Sequence, residues 1–390
     1  MVSRLVRLAS GAVLGLAAWG AQAAPAYNVL SSVPPDTGQI TLPLTAGPDG
    51  LLYGATNFSF IDPLGTVYRM GADGMVTILH VFQGPDGMGP SVPLVLGTDG
   101  WLYGATSGGG AGNEGVIFKV SPAGDFAIVH TFRAHVDQGL GSPHADLVPD
   151  GSGGLYGIGV AGSARDDVLY RLAPDGTVTL IHAFSGPKLG RNVVNLARTA
   201  DGTLVGTTSR SPGGGFDGSL FTYRPGDRLH TVHSFDGATD GSFPSGRLAI
   251  GRDGAVYGAL AQGTSTGFGS IWRLGRDGAF SLIHTFDPDN GDVLGGGPYG
   301  GLSANASGYL YGTTGAAGEF FGGTAFSMSI TGTSHLLYSF DVRGDGGQGC
   351  ANGCYPDLAP TWLPDGTLWG ATQQGGDSNF GVFYRIVPKP

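Results

Sequence analysis

Short apolar and aromatic runs alternate with glycine-rich turns along almost the whole chain. One phrase, an aliphatic residue followed by a tyrosine, valine or tryptophan and then a glycine, returns seven times at spacings of 49 to 58 residues. Recurrence at a fixed period of this length is typical of solenoids and propellers. The seven occurrences are at 52–54, 102–104, 155–157, 204–206, 256–258, 310–312 and 368–370.

Each unit contains four short runs with the residue types that favour β-strands. In the first unit the repeated phrase is followed by runs at 66–69 and 78–82, and the second unit then opens with a run at 94–96. Several of the turns between the runs contain Asp-Gly, which suits a tight hairpin because glycine tolerates positive φ. No helical periodicity appears in any unit. Four short strands per unit predict an all-β protein whose units are propeller blades.

The two ends of the chain indicate how the ring closes. The seventh unit stops after its third run, 382–386, whereas an unassigned run at 29–33 precedes the first unit and aligns with 78–82. We therefore expect residues 27–33 to pair with the blade formed by 358–387, which would leave no unpaired strand edge. The sequence predicts one seven-bladed, four-stranded β-propeller domain over residues 24–390.

The first 23 residues are predicted to be a signal peptide. Arg4 and Arg7 precede an uncharged apolar run at 8–19, and Ala21-Gln22-Ala23 fits a cleavage site. The apolar run is too short for a permanent membrane span. We expect an exported monomer, periplasmic or extracellular, with no membrane span.

The charge balance argues against nucleic acid as a partner. Without Arg4 and Arg7 the chain has 18 basic against 30 acidic residues, a net charge of −12. Binding to phosphate backbones or anionic membranes needs clustered Lys and Arg. Neither partner is expected.

The two cysteines, Cys350 and Cys354, are predicted to form a disulfide. In an exported chain such a pair closes a small loop. A zinc site would need two further soft ligands nearby, and the sequence offers none. The ring should shape one loop without holding the fold together.

The repeat resembles a known family. Asp-Gly-x-Leu-Tyr-Gly-x-Thr at 99–106, Gly-x-Ile-Phe-Lys at 115–119 and Leu-x-His-x-Phe at 180–184 are similar to the tandem "GloVer" repeat of bacterial exported proteins. The resemblance covers essentially the whole chain after residue 23. Many such proteins are held at the cell surface by a C-terminal sorting segment, which this chain lacks, so surface attachment is not expected. The resemblance implies no particular activity and no catalytic residues.

Five of the nine histidines occupy one repeat position, where Ser31 and Tyr338 stand in the other two units. A residue that returns in every blade is expected to make a hydrogen bond or packing contact that each blade needs. The same holds for the basic residue of the third run, such as Arg69 or Arg273. The five histidines are His80, His130, His182, His233 and His284.

Residues that interrupt the repeat are better candidates for function. The first run of each blade should be innermost, and polar residues replace one another freely at its start. We expect these side chains to form a polar pocket at the mouth of the central channel, beside the long loops. Arg165 and Lys188, in neighbouring loops, could add positive charge for a carboxylate ligand. The predicted ligand-binding set is Asp146, Arg165, Lys188, Asn195, Arg247 and Asp357.

Two His-x-Asp pairs lie nine residues apart, at 135–137 and 144–146. His135, Asp137, His144 and Asp146 could hold a divalent metal such as Ca²⁺ or Zn²⁺, or a histidine could serve as a base oriented by a carboxylate. Two-residue motifs also arise easily by chance, so a solvated loop without a site is the favoured explanation. No cofactor is firmly predicted.

Three functions remain open on the sequence alone. The favoured one is an exported module that binds a polar ligand, most simply a glycan, through its long loops. The second is a polysaccharide lyase or hydrolase acting on an acidic glycan, with His135, His144, Arg191 and Tyr299 as catalytic residues. The third is a non-catalytic protein-interaction scaffold. No phosphate loop, nucleophile elbow or zinc-protease motif appears.

Overall fold

In the computed structural model the chain forms seven antiparallel sheets arranged as the blades of a propeller. The structure describes residues 25–58, 62–161, 166–185, 190–342 and 350–388. The predicted all-β, seven-bladed, four-stranded architecture is confirmed. The predicted signal peptide, residues 1–23, lies outside the described residues.

The strands follow the predicted order of four per blade. Blade 2 differs only in that its innermost position is split into two short strands, β6 and β7, which both pair with β8. The strands of the first three blades, after the N-terminal strand β1 (Ala26–Ser32), are β2 (Thr45–Ala46), β3 (Leu52–Thr56), β4 (Thr66–Met70) and β5 (Val76–Val81); β6 (Met88–Pro90), β7 (Val95–Leu96), β8 (Leu102–Gly108), β9 (Val116–Val120) and β10 (Phe126–Thr131); and β11 (Leu140–Pro149), β12 (Leu155–Ala161), β13 (Asp166–Leu172) and β14 (Val178–Ala183).

The remaining four blades repeat the pattern, and blade 7 contributes only three strands of its own. A 3₁₀ turn, Pro288–Asn290, lies in the loop between blades 5 and 6. The strands are β15 (Arg191–Arg198), β16 (Leu204–Arg210), β17 (Ser219–Tyr223) and β18 (His230–Ser234); β19 (Ser242–Ile250), β20 (Val256–Gln262), β21 (Ser270–Leu274) and β22 (Phe280–Thr285); β23 (Leu302–Ala304), β24 (Tyr309–Thr314), β25 (Phe321–Ser329) and β26 (Ser334–Asp341); and β27 (Thr361–Trp362), β28 (Leu368–Ala371) and β29 (Val382–Val387).

The ring closes where the sequence predicts. Strand β1 pairs antiparallel with β29, from Ala26 opposite Val387 to Ser32 opposite Val382. On the inner side, the Thr361 hydroxyl of blade 7 donates to the Leu44 carbonyl of blade 1 at 2.7 Å. The first and last segments of the fold are thus joined both at the outer edge of the ring and beside the central channel. Strand β1 covers the outer edge of β29.

The hydrophobic core is divided among the seven interfaces between blades. Each buried cluster draws on two neighbouring sheets, as where Phe82 of blade 1 packs against Phe118 of blade 2 with ring centroids 5.2 Å apart. The glycine of the repeated phrase makes this packing feasible. A β-carbon at Gly258 would lie 2.3 Å from the Trp272 ring. In all seven blades an aromatic side chain of the third strand covers this glycine: Tyr68, Phe118, Tyr170, Phe221, Trp272, Phe326 and Tyr384.

We predict that Gly258→Ala lowers the free energy of unfolding by about 1–3 kcal/mol, because the added methyl overpacks a rigid interface. Urea denaturation would measure the change. Gly215→Ala is the control, since its β-carbon would come no closer than 3.6 Å to another atom and its φ is not positive. An equal loss of stability in the two variants would contradict this role for Gly258.

The two faces of the ring differ. The loop face carries the connections from the second to the third strand and from the fourth strand to the next blade. The turn face carries the tight hairpins. A typical hairpin there is fixed by Asp253, whose carboxylate accepts hydrogen bonds from the Ala255 N–H, the Tyr257 hydroxyl and Arg273. Rigid turns on one face leave the variable loops, the usual place for binding, on the other.

Candidate functional site

The loop-face mouth of the central channel forms a cavity of about 280 Å³ to which all seven blades contribute. Residues 41–43 of the segment leading into blade 1 line it, as does Ser91 of blade 2. The predicted polar pocket therefore has a physical counterpart. Four residues singled out by the sequence line this cavity: Asp146, Arg247, Tyr299 and Asp357.

Asp146 and Arg247 lie at the floor of the mouth. Both also line a second cavity of about 220 Å³ farther along the channel, where most of the wall is apolar, including Leu147 and Leu248. Burial raises the pKa of Asp146, although the Arg247 charge and the Leu196 N–H, which donates at 3.2 Å, act to lower it. The two charges stand where the channel changes from polar to apolar.

The Arg247 guanidinium has no ion-pair partner among the described residues. Burial lowers its pKa and Asp146 opposes that effect, yet a guanidinium remains charged at any physiological pH. Across the described part of the chain, Arg247 makes no ion pair within 4 Å. Asp146 lies near enough to act on the Arg247 charge, but no hydrogen bond from the guanidinium to a described residue is formed, so its donors are available to a ligand in the cavity.

Tyr299 and Asp357 form the upper wall. Both pack over Gly315, where an added β-carbon would lie 2.2 Å from the Asp357 Oδ1 and 3.0 Å from the Tyr299 ring. Asp357 Oδ1 is buried and accepts no hydrogen bond from the described residues. Burial raises the pKa of this carboxyl group. Tyr299 keeps 36% of its surface exposed.

We predict that Asp357→Asn is more stable than the parent protein at pH 7, by on the order of 1 kcal/mol, because it removes an unpaired charge. The folded-state pKa of Asp357 is raised, so its favourable contribution is full below the unfolded-state pKa of about 3.9 and is lost as the pH rises through the folded value. Denaturation at neutral and acidic pH should show the advantage of the variant shrinking on acidification. A variant less stable at pH 7 would contradict this account.

The sequence predicts that Asn195 binds ligand, but its side-chain amide forms hydrogen bonds within the protein. It is 2% exposed, donates from Nδ2 to the Gly246 carbonyl at 3.0 Å and accepts from the Thr207 hydroxyl at 2.9 Å. It is not among the residues that line the mouth. Its amide ties the inner strands of blades 4 and 5 together.

His144 is paired with a carboxylate that the sequence did not suggest. Its Nε2 lies 3.3 Å from Asp167 Oδ1, and its Nδ1 lies 3.3 Å from the Ser142 carbonyl. Burial lowers the pKa of His144, but the bond and charge of Asp167 outweigh it, so the pKa lies above its usual value. Acceptors at both ring nitrogens favour the protonated ring, which is a poor general base.

The other proposed catalytic and metal-binding residues are dispersed. His135 and Arg191 are exposed on the loop face and do not line the mouth. Asp137 is buried, accepts from the Arg133 N–H at 2.7 Å and lies 3.3 Å from His130 Nε2. Within the described ranges no three His, Cys, Asp or Glu side chains are grouped closely enough to hold a metal ion. Arg165 and Lys188 lie outside the described residues.

Two of the repeated histidines show the structural contacts that this position can make, whereas the buried Nε2 of His182 has no hydrogen-bond partner among the described residues. His80 accepts or donates a 2.8 Å hydrogen bond with Asp86 and stacks on Phe126 of the next blade, with ring centroids 3.5 Å apart. His233 does the same with Asp240 and Phe280. Each of these two histidines stabilises a loop through its aspartate and an interface between blades through its stacked ring.

Two larger clefts open on the turn face, one of about 440 Å³ between blades 2 and 3 and one of about 310 Å³ between blades 4 and 5. Each cleft contains one ion pair. Lys119 lies 3.3 Å from Asp99 in the first, and Arg224 lies 2.6 Å from Asp201 in the second. Arg276 of the second cleft likewise makes no ion pair within the described residues. The mouth is the better candidate site despite its smaller volume, because it gathers residues from all seven blades and places two carboxyl groups with raised pKa values beside Arg247.

The predicted Cys350–Cys354 disulfide is formed, with Cα atoms 5.4 Å apart. The ring does more than shape its own loop, because the Tyr27 hydroxyl of β1 donates to the Asn352 carbonyl at 2.7 Å. It also leads directly into the segment that carries Asp357. The disulfide thus adjoins both the closing strand and the mouth.

Comparison with protein families identifies the repeat. A family model described as the Gloeobacter/Verrucomicrobia repeat matches residues 20–215 and 159–354. The chain belongs to this family. The Gloeobacter/Verrucomicrobia repeat accounts for the recurring phrase, and the resemblance expected from the sequence is confirmed. No curated protein sequence matches the chain.

Solved structures similar to this Gloeobacter/Verrucomicrobia repeat protein share its fold at low identity. A streptogramin B lyase is 14% identical, with 93% of this chain and 97% of that chain covered and a TM-score of 0.62. Virginiamycin B lyase from Staphylococcus aureus is 13% identical, with coverages of 94% and 99% and a TM-score of 0.60. The extracellular domain of a B. thetaiotaomicron hybrid two-component system is 13% identical, with coverages of 94% and 42% and a TM-score of 0.59. These likenesses show the propeller alone.

Proposed function

We propose that the protein binds a glycan at the loop-face mouth of the channel. The observation that carries the proposal is the presence, in one cavity, of an Arg247 guanidinium without an ion-pair partner among the described residues, the carboxyl groups of Asp146 and Asp357, and the exposed Tyr299 ring. Polar groups in a site that lack protein partners are available to a ligand, and leaving them unpaired is unfavourable.

The chemistry of these groups matches that of a sugar. Hydroxyl groups both donate and accept, so carboxylates at Asp146 and Asp357 could accept from them while Arg247 donates to their oxygens. A pyranose ring also has an apolar face, which could stack on Tyr299. The cavity of about 280 Å³ is at the low end of small-molecule sites, so it suits one small unit of a larger ligand.

Export forms part of this proposal. The predicted signal peptide at residues 1–23 and the Cys350–Cys354 disulfide fit an oxidising location, the periplasm or the medium. Polysaccharides are accessible there. Among the described residues no helix has the length and apolar character needed to cross a membrane.

The test is isothermal titration of the purified protein with cello-, xylo- and galacturonide oligosaccharides. We expect saturable binding of at least one series, weakened about tenfold or more by Tyr299→Ala. Tyr309→Ala is the matched control, since Tyr309 belongs to the same blade and is 41% exposed, but on the turn face. Equal affinities for the two variants would overturn the assignment of the site.

Glycoside hydrolysis is a second candidate, favoured by one specific observation. Two carboxyl groups, Asp146 and Asp357, line the same cavity, and burial raises the pKa of each. Hydrolysis of a glycosidic bond needs a protonated carboxyl group as acid and a second carboxylate. Release of reducing ends, abolished by either Asp→Asn variant, would establish hydrolysis; binding without release would leave the binding function alone.

A further inference from the structure

Phenylalanine side chains are exposed around the loop face. Phe58 lies in the loop after β3 of blade 1, Phe216 in the loop after β16 of blade 4, and Phe243 near the start of β19 in blade 5; they are 44%, 70% and 49% exposed. Apolar rings in water are unfavourable unless a ligand covers them. The proposed function does not use them.

The exposure of these rings is built into the fold. Phe243 has a φ of +64°, in the left-handed region that a bulky residue seldom adopts. Ser142 and Tyr355, which precede the corresponding prolines of blades 3 and 7, are left-handed as well, so this conformation belongs to the repeat and fixes where the ring lies. The Phe216 ring is covered on one side by the Arg210 guanidinium, 4.3 Å from its centroid, and still keeps most of its surface exposed. Both rings are positioned and open.

These three rings stand on opposite sides of the mouth, and a fourth, Phe321 at the start of β25 in blade 6, is 65% exposed and lies off that line. In a ring of seven blades, blade 1 lies across the axis from blades 4 and 5. Phe58 is therefore on one side of the channel, and Phe216 and Phe243 are on the other. The polar cavity with Asp146, Arg247 and Tyr299 lies between them.

We propose that the loop face binds an extended polysaccharide chain laid across the diameter of the ring. One sugar unit occupies the mouth, while flanking units stack on Phe58 at one side and on Phe216 and Phe243 at the other. This inference rests on the proposed function and specifies its ligand as a long chain. A sugar polymer fits because it alternates apolar ring faces with hydroxyl groups, as the loop face alternates aromatic rings with polar positions.

A protein partner fits this surface less well. Each ring is flanked in sequence by glycine, serine, asparagine or aspartate, as in Gly215-Phe216-Asp217 and Ser242-Phe243-Pro244. Protein-docking surfaces present contiguous apolar patches with a buried aromatic centre. Here the centre is polar and charged, and the aromatic rings are at the periphery.

The test compares a trisaccharide with an octasaccharide of whichever cello-, xylo- or galacturonide series binds. We expect the octasaccharide to bind at least about tenfold more tightly. Phe58→Ala and Phe216→Ala should each remove much of that gain while leaving the affinity for the trisaccharide unchanged. Met75→Ala, which removes a 66% exposed side chain from the turn face, is the control and should change neither the trisaccharide affinity nor the octasaccharide affinity.

The possible failures are distinguishable. Equal affinity for the two lengths, or equal weakening of both by the Phe variants, would overturn the extended-chain inference. The mouth site would stand in that case if Tyr299→Ala still weakens binding about tenfold or more. Loss of octasaccharide binding only in the Phe variants, with Tyr299→Ala unaffected, would overturn the mouth site instead.

The variant Phe243→Gly distinguishes a role of this side chain in ligand binding from a role in packing. Glycine relaxes the left-handed backbone, so the variant should unfold at the same or a higher denaturant concentration than the parent. Its affinity for the octasaccharide should nevertheless fall several-fold. If the variant is less stable, Phe243 is a packing residue and its place in the chain-binding surface is refuted.

Discussion

A chain that begins at residue 33, without β1, is expected to lose more than about 4 kcal/mol of its unfolding free energy, well beyond the effect of most single substitutions. The loss has two sources. The outer edge of β29 would be left unpaired, and the partly buried Tyr27 and Leu30 would be removed from the clusters on either side of blade 7. Tyr27 also stacks on Tyr338 with ring centroids 3.7 Å apart. Urea denaturation measures the loss.

A synthetic peptide of residues 25–33 should restore much of this stability when added in excess, because binding to the folded state stabilises it by mass action. A chain that begins at residue 25, with β1 intact, is the control and should match the full-length protein. Equal unfolding free energies for the two truncated chains, or no stabilisation by the peptide, would show that pairing of β1 with β29 is not what closes the ring.

Arg247→Ala is expected to weaken glycan binding about 10- to 100-fold, which corresponds to the roughly 1.5–3 kcal/mol of a hydrogen bond to a charged group. Among the described residues that line the mouth, this guanidinium is the one cation. The affinity of Arg247→Lys should lie between those of the parent protein and Arg247→Ala, since an ammonium retains the charge but not the planar fork of donors. Titration calorimetry with the best-binding oligosaccharide gives the three affinities.

Arg276→Ala is the matched control for that series, because Arg276 lines the turn-face cleft between blades 4 and 5. It should bind as the parent does. An Arg247→Ala variant with unchanged affinity would place the ligand elsewhere, and equal losses in the two variants would indicate a nonspecific charge effect.

The architecture was predictable because its determinants are local and repeated. Each blade contains a tight hairpin and the repeated phrase that ends in glycine, and the unassigned run at 29–33 matches the strand that blade 7 lacks beside 382–386. The predicted alignment holds residue for residue, since Ser31 lies opposite Phe383 as His80 lies opposite Val67. Sequence did not reveal the β-bulge that precedes both positions, because a bulge depends on strand pairing.

The candidate site was predictable only in part. Residues that broke the repeat near the start of the first strand did reach the channel, as Asp146, Arg247, Tyr299 and Asp357 show. Asn195 broke the repeat too, yet its amide bonds to Gly246 of the next blade. A departure from the repeat identifies a special position, but only the fold shows whether the partner is a ligand or a neighbouring strand.

The His-x-Asp pairs illustrate the same limit. His144 lies two residues from Asp146 in sequence, but its carboxylate partner is Asp167, on a different strand. Likewise Asp137 lies beside His130 rather than His135. Short motifs suggest pairings that strand geometry does not allow, whereas the actual pairings follow from which strands are adjacent.

The most direct measurement of the central claim is a crystal structure of the protein with the best-binding oligosaccharide. We predict a sugar ring in the loop-face mouth, with its hydroxyl groups on Arg247 and Asp357 and its apolar face on Tyr299. Sugar bound in either turn-face cleft, with only water in the mouth, would contradict the account.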